Sequence, residues 1–326
     1  MENGTKLRIL YLYQYLMQHT DSEHTLSKAE LIKALKEEYS IKVSRNTISN
    51  DLNMLHDCGL HVEHYESTQN KYYYDGHIYE LPELKLLVDA ISSSKFITQR
   101  KSNELIAKLL TSTNMQNAEK LRRHIYVFGR AKSDNENGYY IVDAINKAID
   151  IKRKIAFYYT DFNVERQRYI SNDGKPYIVS PYMLIWDGDY YYVRGFCDEC
   201  REIRNFRVDR IAEQPNILNQ IAEQSPNGCD LDDYNKQVFR MYDTGELSAV
   251  QLYCHVSVMK YLIDNFGADF DVKVVDADHF KVTIQVYASA TFYRWVFGFN
   301  GKIKIIGPEG IVSAYKEMLQ RALEET

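Results

Sequence analysis

A chain of 326 residues exceeds one ordinary domain, and its hydrophobic fraction of 45% is enough for two or three separate cores. A formal net charge of −5 excludes a uniformly basic nucleic-acid-binding protein, so any contact with phosphates must come from a local patch. Five cysteines without framework spacing favour a reducing compartment, and we predict neither a secretory signal nor a membrane span, so we expect a cytoplasmic protein.

Two helices are predicted at the start of the chain. Apolar residues recur at helical spacing over 6–18, which predicts the first. Ser27 and Glu30 form the capping-box pattern, which predicts that a second helix covers 28–39.

A third helix is predicted over 45–58, with Ser44 as its N-cap and Gly59 at its end. Helical spacing predicts that one side of it is buried, at Ile48, Leu52 and Leu55. The opposite side is polar, with Arg45, Asn46, Ser49, Asn50 and Asn53.

Two short strands, 61–65 and 71–74, are predicted after the third helix. Three helices followed by a strand pair is the order of a winged helix-turn-helix. The segment resembles the DeoR-like DNA-binding module, and the matching residues are Val43, Ser44, Thr47, Ile48, Asp51, Leu52, Leu55 and Gly59. The resemblance implies that the third helix enters the major groove of DNA. We therefore predict DNA contacts from Lys42, Ser44, Arg45, Asn46, Thr47, Ser49 and Asn50.

Charge argues against this interpretation of residues 1–80, which hold eight basic and twelve acidic residues. A helical protein-interaction module is the alternative for this region.

Helices are predicted over 82–110 and 116–127, and nine basic residues against two acidic ones lie between 95 and 132. This linker either extends the phosphate contacts or exposes charge on a dimerising helical region.

A small β-rich domain is predicted next. A helix over 139–152 is followed by strands over 154–159 and 177–180, with a turn at 172–174. Two further runs, 189–195 and 203–211, complete about five strands, which is consistent with an SH3-like barrel.

The two runs of this hairpin place tyrosines beside arginines, a combination suited to phosphates and unstacked bases. The stretch resembles the WYL domain, a ligand-sensing barrel of bacterial transcriptional regulators. The resemblance rests on Pro181-Tyr182 with Leu184, on Tyr191-Tyr192-Val193, and on Phe206-Arg207-Val208-Asp209-Arg210-Ile211.

We predict that this surface binds a nucleic-acid or nucleotide-like ligand, as the resemblance also implies. The predicted ligand residues are Tyr159, Arg168, Tyr191, Tyr192, Arg204, Arg207 and Arg210. Because alternate residues of a strand point to opposite faces, Arg204 and Arg207 share a pocket only if the strand bulges or ends early. The alternative for Arg207 and Arg210 is a structural ion pair with Asp209 or another carboxylate.

The remaining chain is predicted as an irregular or helical bridge and then a βαββαβ unit with a final helix, the ferredoxin-like order. The fold class is therefore α+β with several domains. They are a winged helix-turn-helix (1–80), a helical linker or dimerisation region (81–138), an SH3-like WYL barrel (139–212), a bridge (213–245) and a ferredoxin-like extension (246–326).

Other candidate sites are assigned to structure rather than chemistry. Cys197 and Cys200 lack partners for a zinc site, so we interpret them as small residues of an exposed turn. The aromatic cluster around Arg294-Trp295 is interpreted as core. We predict no catalytic residue, no cofactor and no metal, because no catalytic or phosphate-loop motif occurs.

Together with the two resemblances, these patterns predict a ligand-responsive transcriptional regulator that binds double-stranded DNA and no membrane. The resemblance and the symmetry of operators imply that it is a homodimer. We expect a repressor, although the sequence does not decide between repression and activation. Two alternatives stay open: an interaction module that does not bind DNA, and a nucleic-acid-processing enzyme with the barrel as its substrate platform.

Overall fold

The protein, described here by a computed structural model, is defined over residues 2–66, 70–123, 132–224 and 247–324. The chain divides into two units, Met1–Glu136 and Asn137–Thr326. Both contain helices and strands, so the predicted α+β class is confirmed. Among the described residues, no helix combines the length and the apolar character needed to cross a bilayer.

The first unit consists of helices with one small antiparallel sheet. Its elements are α1 (Glu2–His19), β1 (Leu26–Ser27), α2 (Lys28–Tyr39), α3 (Arg45–Asp57), β2 (Val62–Tyr65), β3 (Lys71–Tyr74), α4 (Leu81–Ser93), α5 (Gln99–Leu110) and α6 (Met115–Arg123). The strand order is β1-β3-β2.

The predicted capping box of α2 is present. The Glu30 carboxylate accepts hydrogen bonds from the Ser27 backbone N–H at 2.7 Å and from the Ser27 hydroxyl at 2.6 Å. Lys71 of β3 donates to the same carboxylate at 3.1 Å. These hydrogen bonds lower the pKa of Glu30 to about 2 and tie the start of α2 to the strand pair.

The predicted buried face of α3 is confirmed, with Ile48, Leu52 and Leu55 in one core with α1 and α2. An ion pair that the sequence did not indicate joins α1 to this helix. Arg8 donates two hydrogen bonds to buried Asp51, from Nε at 2.6 Å and from Nη2 at 2.9 Å. Hydrogen bonding to Asp51 raises the pKa of Arg8, so the pair stays charged. The pair therefore holds α3 in one orientation.

The predicted single helix over 82–110 was wrong, because the chain leaves the helix after Ser93 and re-enters it at Gln99. At this break the Ser93 hydroxyl donates to the Ala90 carbonyl at 3.2 Å, which competes with the helical hydrogen bonding of that carbonyl. The Lys132 ammonium stabilises the break by donating to the carbonyls of Ser94 at 2.8 Å and Ile91 at 3.3 Å. Thr98 then caps α5. Residues 124–127 of the second predicted helix lie outside the described residues.

Asp21 connects the linker helices to the N-terminal helices. Its carboxylate accepts hydrogen bonds from the side-chain amides of Asn114 and Asn117 at the start of α6. It also accepts from the His24 backbone N–H at 2.6 Å. Burial opposes ionisation of Asp21, but the hydrogen bonds from His24 and Asn114 outweigh it and lower its pKa.

The second unit holds two larger sheets. Its elements are α7 (Gly138–Asp150), β4 (Arg153–Phe157), β5 (Thr160–Phe162), β6 (Arg168–Ile170), β7 (Tyr177–Asp187), β8 (Tyr190–Cys197), β9 (Glu202–Arg207), β10 (Asn216–Ile221), β11 (Leu247–His255), α8 (Met259–Phe266), β12 (Val272–Val274), β13 (His279–Tyr287), α9 (Ala290–Phe297), β14 (Ile303–Gly307) and α10 (Glu309–Glu324).

The first of these sheets has the order β10-β4-β7-β8-β9, and β5 and β6 form a separate pair. Two predictions were wrong here. The strand predicted over 203–211 ends at Arg207, where Val208–Arg210 forms a 3-10 turn. The predicted irregular bridge begins with β10, which pairs antiparallel with β4, while residues 225–245 of it lie outside the described residues.

Two sequence interpretations in this unit are also corrected. Cys197 is fully buried at the end of β8 rather than in an exposed turn, because its register partner on β7 is the buried Val179. In the aromatic cluster of α9, Phe292 is core as predicted, but Phe297 is 59% exposed on the opposite side of the helix.

The second sheet has the order β12-β13-β11-β14 with every neighbouring pair antiparallel. Its elements follow in the predicted order of strand, helix, strand, strand, helix, strand. One face packs on an apolar core that includes Leu262 of α8, Phe292 of α9 and, partly buried, Tyr315 of α10. The other face of the sheet carries none of this core.

Removing one partner of the Arg8–Asp51 pair tests how far it stabilises the first unit. We expect Asp51→Ala to destabilise this unit by about 3–5 kcal/mol, because a nearly buried guanidinium is left without its counter-charge. Hydrogen exchange of the α1 and α3 amides measures the loss. The control is Asp57→Ala at the exposed end of α3, for which we expect less than about 0.5 kcal/mol. Equal protection in the two variants would contradict a stabilising role for the pair.

The lowered pKa of Glu30 predicts a pH-dependent contribution to stability. The contribution is fully present above the ordinary pKa of 4.5 and is lost as the pH falls towards about 2. We therefore expect Glu30→Gln to unfold at a lower temperature than the native chain at pH 7, with the difference shrinking below pH 4.5. Thermal unfolding of both proteins across this range measures it. A difference that stays constant with pH would show that the carboxylate charge is not involved.

Candidate functional site

The N-terminus of α3 is held by its own side chains. The Ser44 hydroxyl accepts a hydrogen bond from the Thr47 backbone N–H at 3.2 Å and lies 2.8 Å from the Thr47 hydroxyl. One turn later the Ser49 hydroxyl donates to the Arg45 carbonyl at 3.0 Å. Three of the seven predicted DNA-contacting side chains, those of Ser44, Thr47 and Ser49, therefore already make hydrogen bonds within the helix.

The other four predicted DNA contacts, Lys42, Arg45, Asn46 and Asn50, are exposed. They lie on or just before α3, on the side opposite its buried stripe. A guanidinium and amide groups are the side chains that pair with guanine and adenine edges in the major groove. Arg45, Asn46 and Asn50 therefore lie on the exposed side of α3 that the helical spacing predicted, and Lys42 is exposed just before the helix.

Lys71 of the strand pair forms an ion pair with Glu30 at 3.1 Å. On the same outer side of the strand pair, Tyr65 and Tyr73 stack with ring centroids 5.0 Å apart. The strand pair therefore offers aromatic surface rather than an unpaired cation at this position.

The basic linker is less available to phosphates than its composition indicated. Lys132 donates to carbonyl groups at the end of α4, and burial lowers its pKa. Lys101 pairs with Glu104 at 3.2 Å, and Arg123 pairs with Glu119. Arg130 lies outside the described residues. Part of the nine-to-two excess of basic residues is therefore used in contacts within the unit.

The β8–β9 hairpin divides the predicted ligand residues between two faces. Register pairs place Tyr192 opposite Arg207 on one face, and Gly195 opposite Arg204 on the other. Because side chains alternate along a strand, Tyr191 lies on the face of Arg204. The predicted set of tyrosines and arginines therefore does not form one continuous surface.

Arg207 has the most defined environment of the predicted residues. Its guanidinium lies 3.6 Å from the ring centroid of Tyr190. It also makes a two-point ion pair with Asp209, from Nε at 3.1 Å and from Nη2 at 2.8 Å. Burial alone would lower the pKa of Arg207, but the hydrogen bonds and charge of Asp209 raise it, so the group stays cationic. The ion pair that the sequence left open as an alternative is therefore present.

An ion pair does not prevent Arg207 from binding a ligand, because its side chain remains 25% exposed while Asp209 is nearly buried at 10%. A guanidinium fixed on one edge by a carboxylate and on one face by a ring is preorganised for a planar or anionic group. Tyr190 was missed as part of this site, and Asp209 was named only as a structural partner of Arg207. Alternation along β8 could have indicated Tyr190, because residues 190 and 192 lie on the same face of the strand.

Tyr159 is a structural residue of the predicted barrel. Its hydroxyl accepts a hydrogen bond from the Arg207 backbone N–H at 3.2 Å. Its ring packs against Phe206 with centroids 5.5 Å apart, and burial raises the pKa of its hydroxyl. A ring packed in this way fixes the start of the turn after β9, so we no longer expect it to stack on a ligand.

The remaining predicted arginines contact other groups, whereas Tyr192 lies directly opposite Arg207. Arg204 pairs with Glu202 at 2.7 Å, and Arg210 lies 3.9 Å from Asp161. Arg168 on β6 lies over the ring of Phe162 at 5.3 Å. Tyr192 packs with Met183, Ile185 and Tyr287.

The described residues do not form a metal centre, and Cys197 is not a reactive thiol. Among the described residues, no group of three or more His, Cys, Asp or Glu side chains could hold a metal ion. The buried thiol of Cys197 has its pKa raised to about 12, with burial as the main cause, so it is not a thiolate at neutral pH.

Comparison with known proteins identifies one domain. Residues 140–214 match the WYL domain family, which confirms the predicted resemblance for this part of the chain. The match includes none of the N-terminal unit. No curated protein matches the chain.

Two solved structures are similar at low identity. Proteasome accessory factor B/C (PafBC) of Arthrobacter aurescens is 16% identical with a TM-score of 0.28, covering 99% of this chain and 49% of that one. The present chain therefore spans about half the length of the PafBC chain. A CRISPR Cas-related protein is 10% identical with a TM-score of 0.36, covering 95% of this chain and 97% of that one. What the comparisons identify is a WYL domain over residues 140–214, which contains the Tyr190–Arg207–Asp209 cluster.

Proposed function

We propose that this chain is a DNA-binding transcriptional regulator whose WYL domain senses a nucleic-acid or nucleotide-like ligand. The observation that carries the proposal is the exposed polar end of α3, placed in the same chain as a WYL domain. In this proposal, α1 to α3 with the β2–β3 pair form a winged helix-turn-helix of DeoR-like type, and α3 is the helix that enters the major groove. Lys42, Arg45, Asn46 and Asn50 are its base and phosphate contacts.

The assignment of the other regions follows from the sheets. We assign the WYL barrel, of SH3-like type, to residues 139–221, because β10 pairs with β4 and so belongs to that sheet. Residues 81–138 are the linker and dimerisation region. The sheet order β12-β13-β11-β14 with two crossover helices supports a ferredoxin-like assignment for residues 247–324.

Regulation requires that ligand occupancy changes DNA affinity. We place the ligand on the Arg207 face, where Tyr190 and Asp209 hold the guanidinium, rather than across all three arginines. A ligand that binds one conformation of a homodimer more tightly shifts the population between DNA-competent and incompetent states. We propose a repressor in the cytoplasm that binds a pseudo-palindromic operator, with half-sites about one helical turn or a multiple apart.

Substitutions on α3 test the DNA contacts. We expect Arg45→Ala and Asn50→Ala each to weaken specific operator binding by about 1–3 kcal/mol, because each loses hydrogen bonds to a base edge. The operator is first selected from fragmented genomic DNA, and affinities are measured by gel shift. Lys147→Ala, on the exposed side of α7 in the second unit, is the control for Arg45→Ala, since it removes the same charge. Asn50→Ala changes no charge, so its loss of affinity is compared with the native chain.

Two outcomes would contradict the DNA proposal. If the α3 variants bind the selected duplex as tightly as Lys147→Ala, this helix does not read the operator. If the native chain shows no salt-dependent binding to any duplex at low salt, the first unit is an interaction module instead.

Opposite-face substitutions on β9 test the ligand site. We expect Arg207→Ala to abolish the effect of mononucleotides and dinucleotides on operator affinity while leaving affinity without ligand unchanged. Arg204→Ala is the matched control, because it lies on the same strand but the other face, and it should respond as the native chain does. Tryptophan fluorescence during denaturation reports whether either variant is unfolded in the second unit. An Arg207→Ala protein that is folded and still responds would place the ligand site elsewhere.

A further inference from the structure

A cavity of about 160 Å³ lies at the edge of the core that α4, α5 and α6 share. Its floor consists of the buried lining residues, which are Ser92 of α4 and Ser102, Ile106 and Leu110 of α5. None of the four is more than 8% exposed. Ile106 and Leu110 also belong to the core, so the cavity extends the apolar interior of these helices outward.

A short side chain on α4 accounts for the space. Leu84, Val88 and Ser92 recur every four residues and form the buried stripe of this helix. Leu84 and Val88 pack in the core, whereas the serine side chain is too short to fill the corresponding position. The Ser92 hydroxyl is buried and has no hydrogen-bond partner among the described residues. A buried polar group in this state points to a partner that the chain itself does not supply.

The rim of the cavity offers a hydrogen-bond donor from α5. The rim consists of the exposed lining residues, which are Gln99, Asn103 and Ala107 of α5 and Arg122 of α6. The Gln99 amide donates to the side-chain carbonyl of Asn103 at 3.0 Å. This hydrogen bond orients the Asn103 side chain and leaves its amide nitrogen as a donor.

Charge at the rim favours an anion. Among the described residues that line the cavity, Arg122 is the only charged one. It makes no ion pair within the described part of the chain, whereas its neighbour Arg123 pairs with Glu119. With one guanidinium and no carboxylate in the lining, the cavity attracts an anionic group and repels a cation. The paired donors of a guanidinium match the two oxygens of a carboxylate.

The volume of the cavity limits the size of the ligand. An apolar cavity of roughly 150 Å³ holds one benzene molecule, whereas drug-sized ligands need roughly 300–1,000 Å³. The cavity therefore accommodates an apolar body of about six carbons and excludes a nucleotide. An apolar floor with a few polar groups at the opening is the usual arrangement of a small-molecule site.

We propose that this cavity binds a small monocarboxylate with an apolar body of about six carbons. Ile106 and Leu110 contact the apolar body, and Arg122 and Asn103 hold the carboxylate at the rim. The site goes beyond the proposed function, because it lies among the helices of residues 81–123 and requires neither the operator nor a ligand at Arg207.

The test is a titration of the full chain with benzoate, followed by the methyl NMR signals of isoleucine and leucine. The Ile106 signal is identified as the one that Ile106→Val removes. We expect it to shift with a Kd of the order of 1 mM, as a ligand of this size allows. Hexanoate should bind similarly. Benzamide, which has the same ring without the charge, should bind about tenfold more weakly, because charge-assisted hydrogen bonds are stronger than neutral ones.

Two pairs of variants locate the ligand. We expect Arg122→Gln to weaken benzoate binding about tenfold, because the charge-assisted hydrogen bonds to the carboxylate are lost. Arg123→Gln is the matched control, since it removes the same charge from the next residue of α6, and it should bind as the native chain does. We expect Ala107→Leu to fill the cavity and abolish binding. Ala90→Leu, an exposed position of α4 outside the lining, is its control.

Three results would overturn the proposal. One is an Ile106 signal that does not move at benzoate concentrations up to about 10 mM, well above the expected Kd. Another is equal weakening by Arg122→Gln and Arg123→Gln, which would indicate general charge attraction without a site. The last is equal affinity for benzoate and benzamide, which would show that no group of the cavity recognises the carboxylate. If Ala107→Leu is unfolded, the two arginine variants still decide the assignment.

Discussion

The alternation of side chains along paired strands is the constraint that decides which side chains share a surface on each sheet of this protein. In the WYL domain it separates Arg204 from Arg207, although the two are only three residues apart. In the C-terminal sheet the same rule collects Lys273, Lys281, Tyr253 and Lys304, which are far apart in sequence, into one row. Surface chemistry in this protein is therefore set by register.

Polar contacts inside each unit decide which charges remain available to a partner. In the first unit, Asp51, Glu30 and Asp21 accept hydrogen bonds from side chains of other elements. Because Asp51 pairs with Arg8 and Glu30 with Lys71, these pairs remove equal positive and negative charge, so the acidic excess of residues 1–80 is unchanged. In the linker, Lys132 is used in contacts with carbonyl groups at the end of α4, which reduces the positive charge available to a partner.

The Arg207 cluster shows that an ion pair and a ligand role are compatible. Asp209 comes from the 3-10 turn that ends β9, and Tyr190 comes from the start of β8. Together they hold one guanidinium at a fixed position while part of it stays exposed. A positioned arginine loses less conformational entropy on binding than a mobile one.

Local signals in the sequence were enough for α2 and α3, because the capping box of Ser27 with Glu30 and the N-cap Ser44 act over three residues. The aromatic and arginine motif likewise sufficed to predict the WYL domain. Contacts between distant residues were not predictable in this way. The Arg8–Asp51 pair spans 43 positions, and β10 joins the first sheet through β4, more than fifty residues earlier. Such pairs form only when packing brings the two elements together. A charged side chain or an edge strand has many possible partners along the chain, and the packing of the core decides which partner it meets.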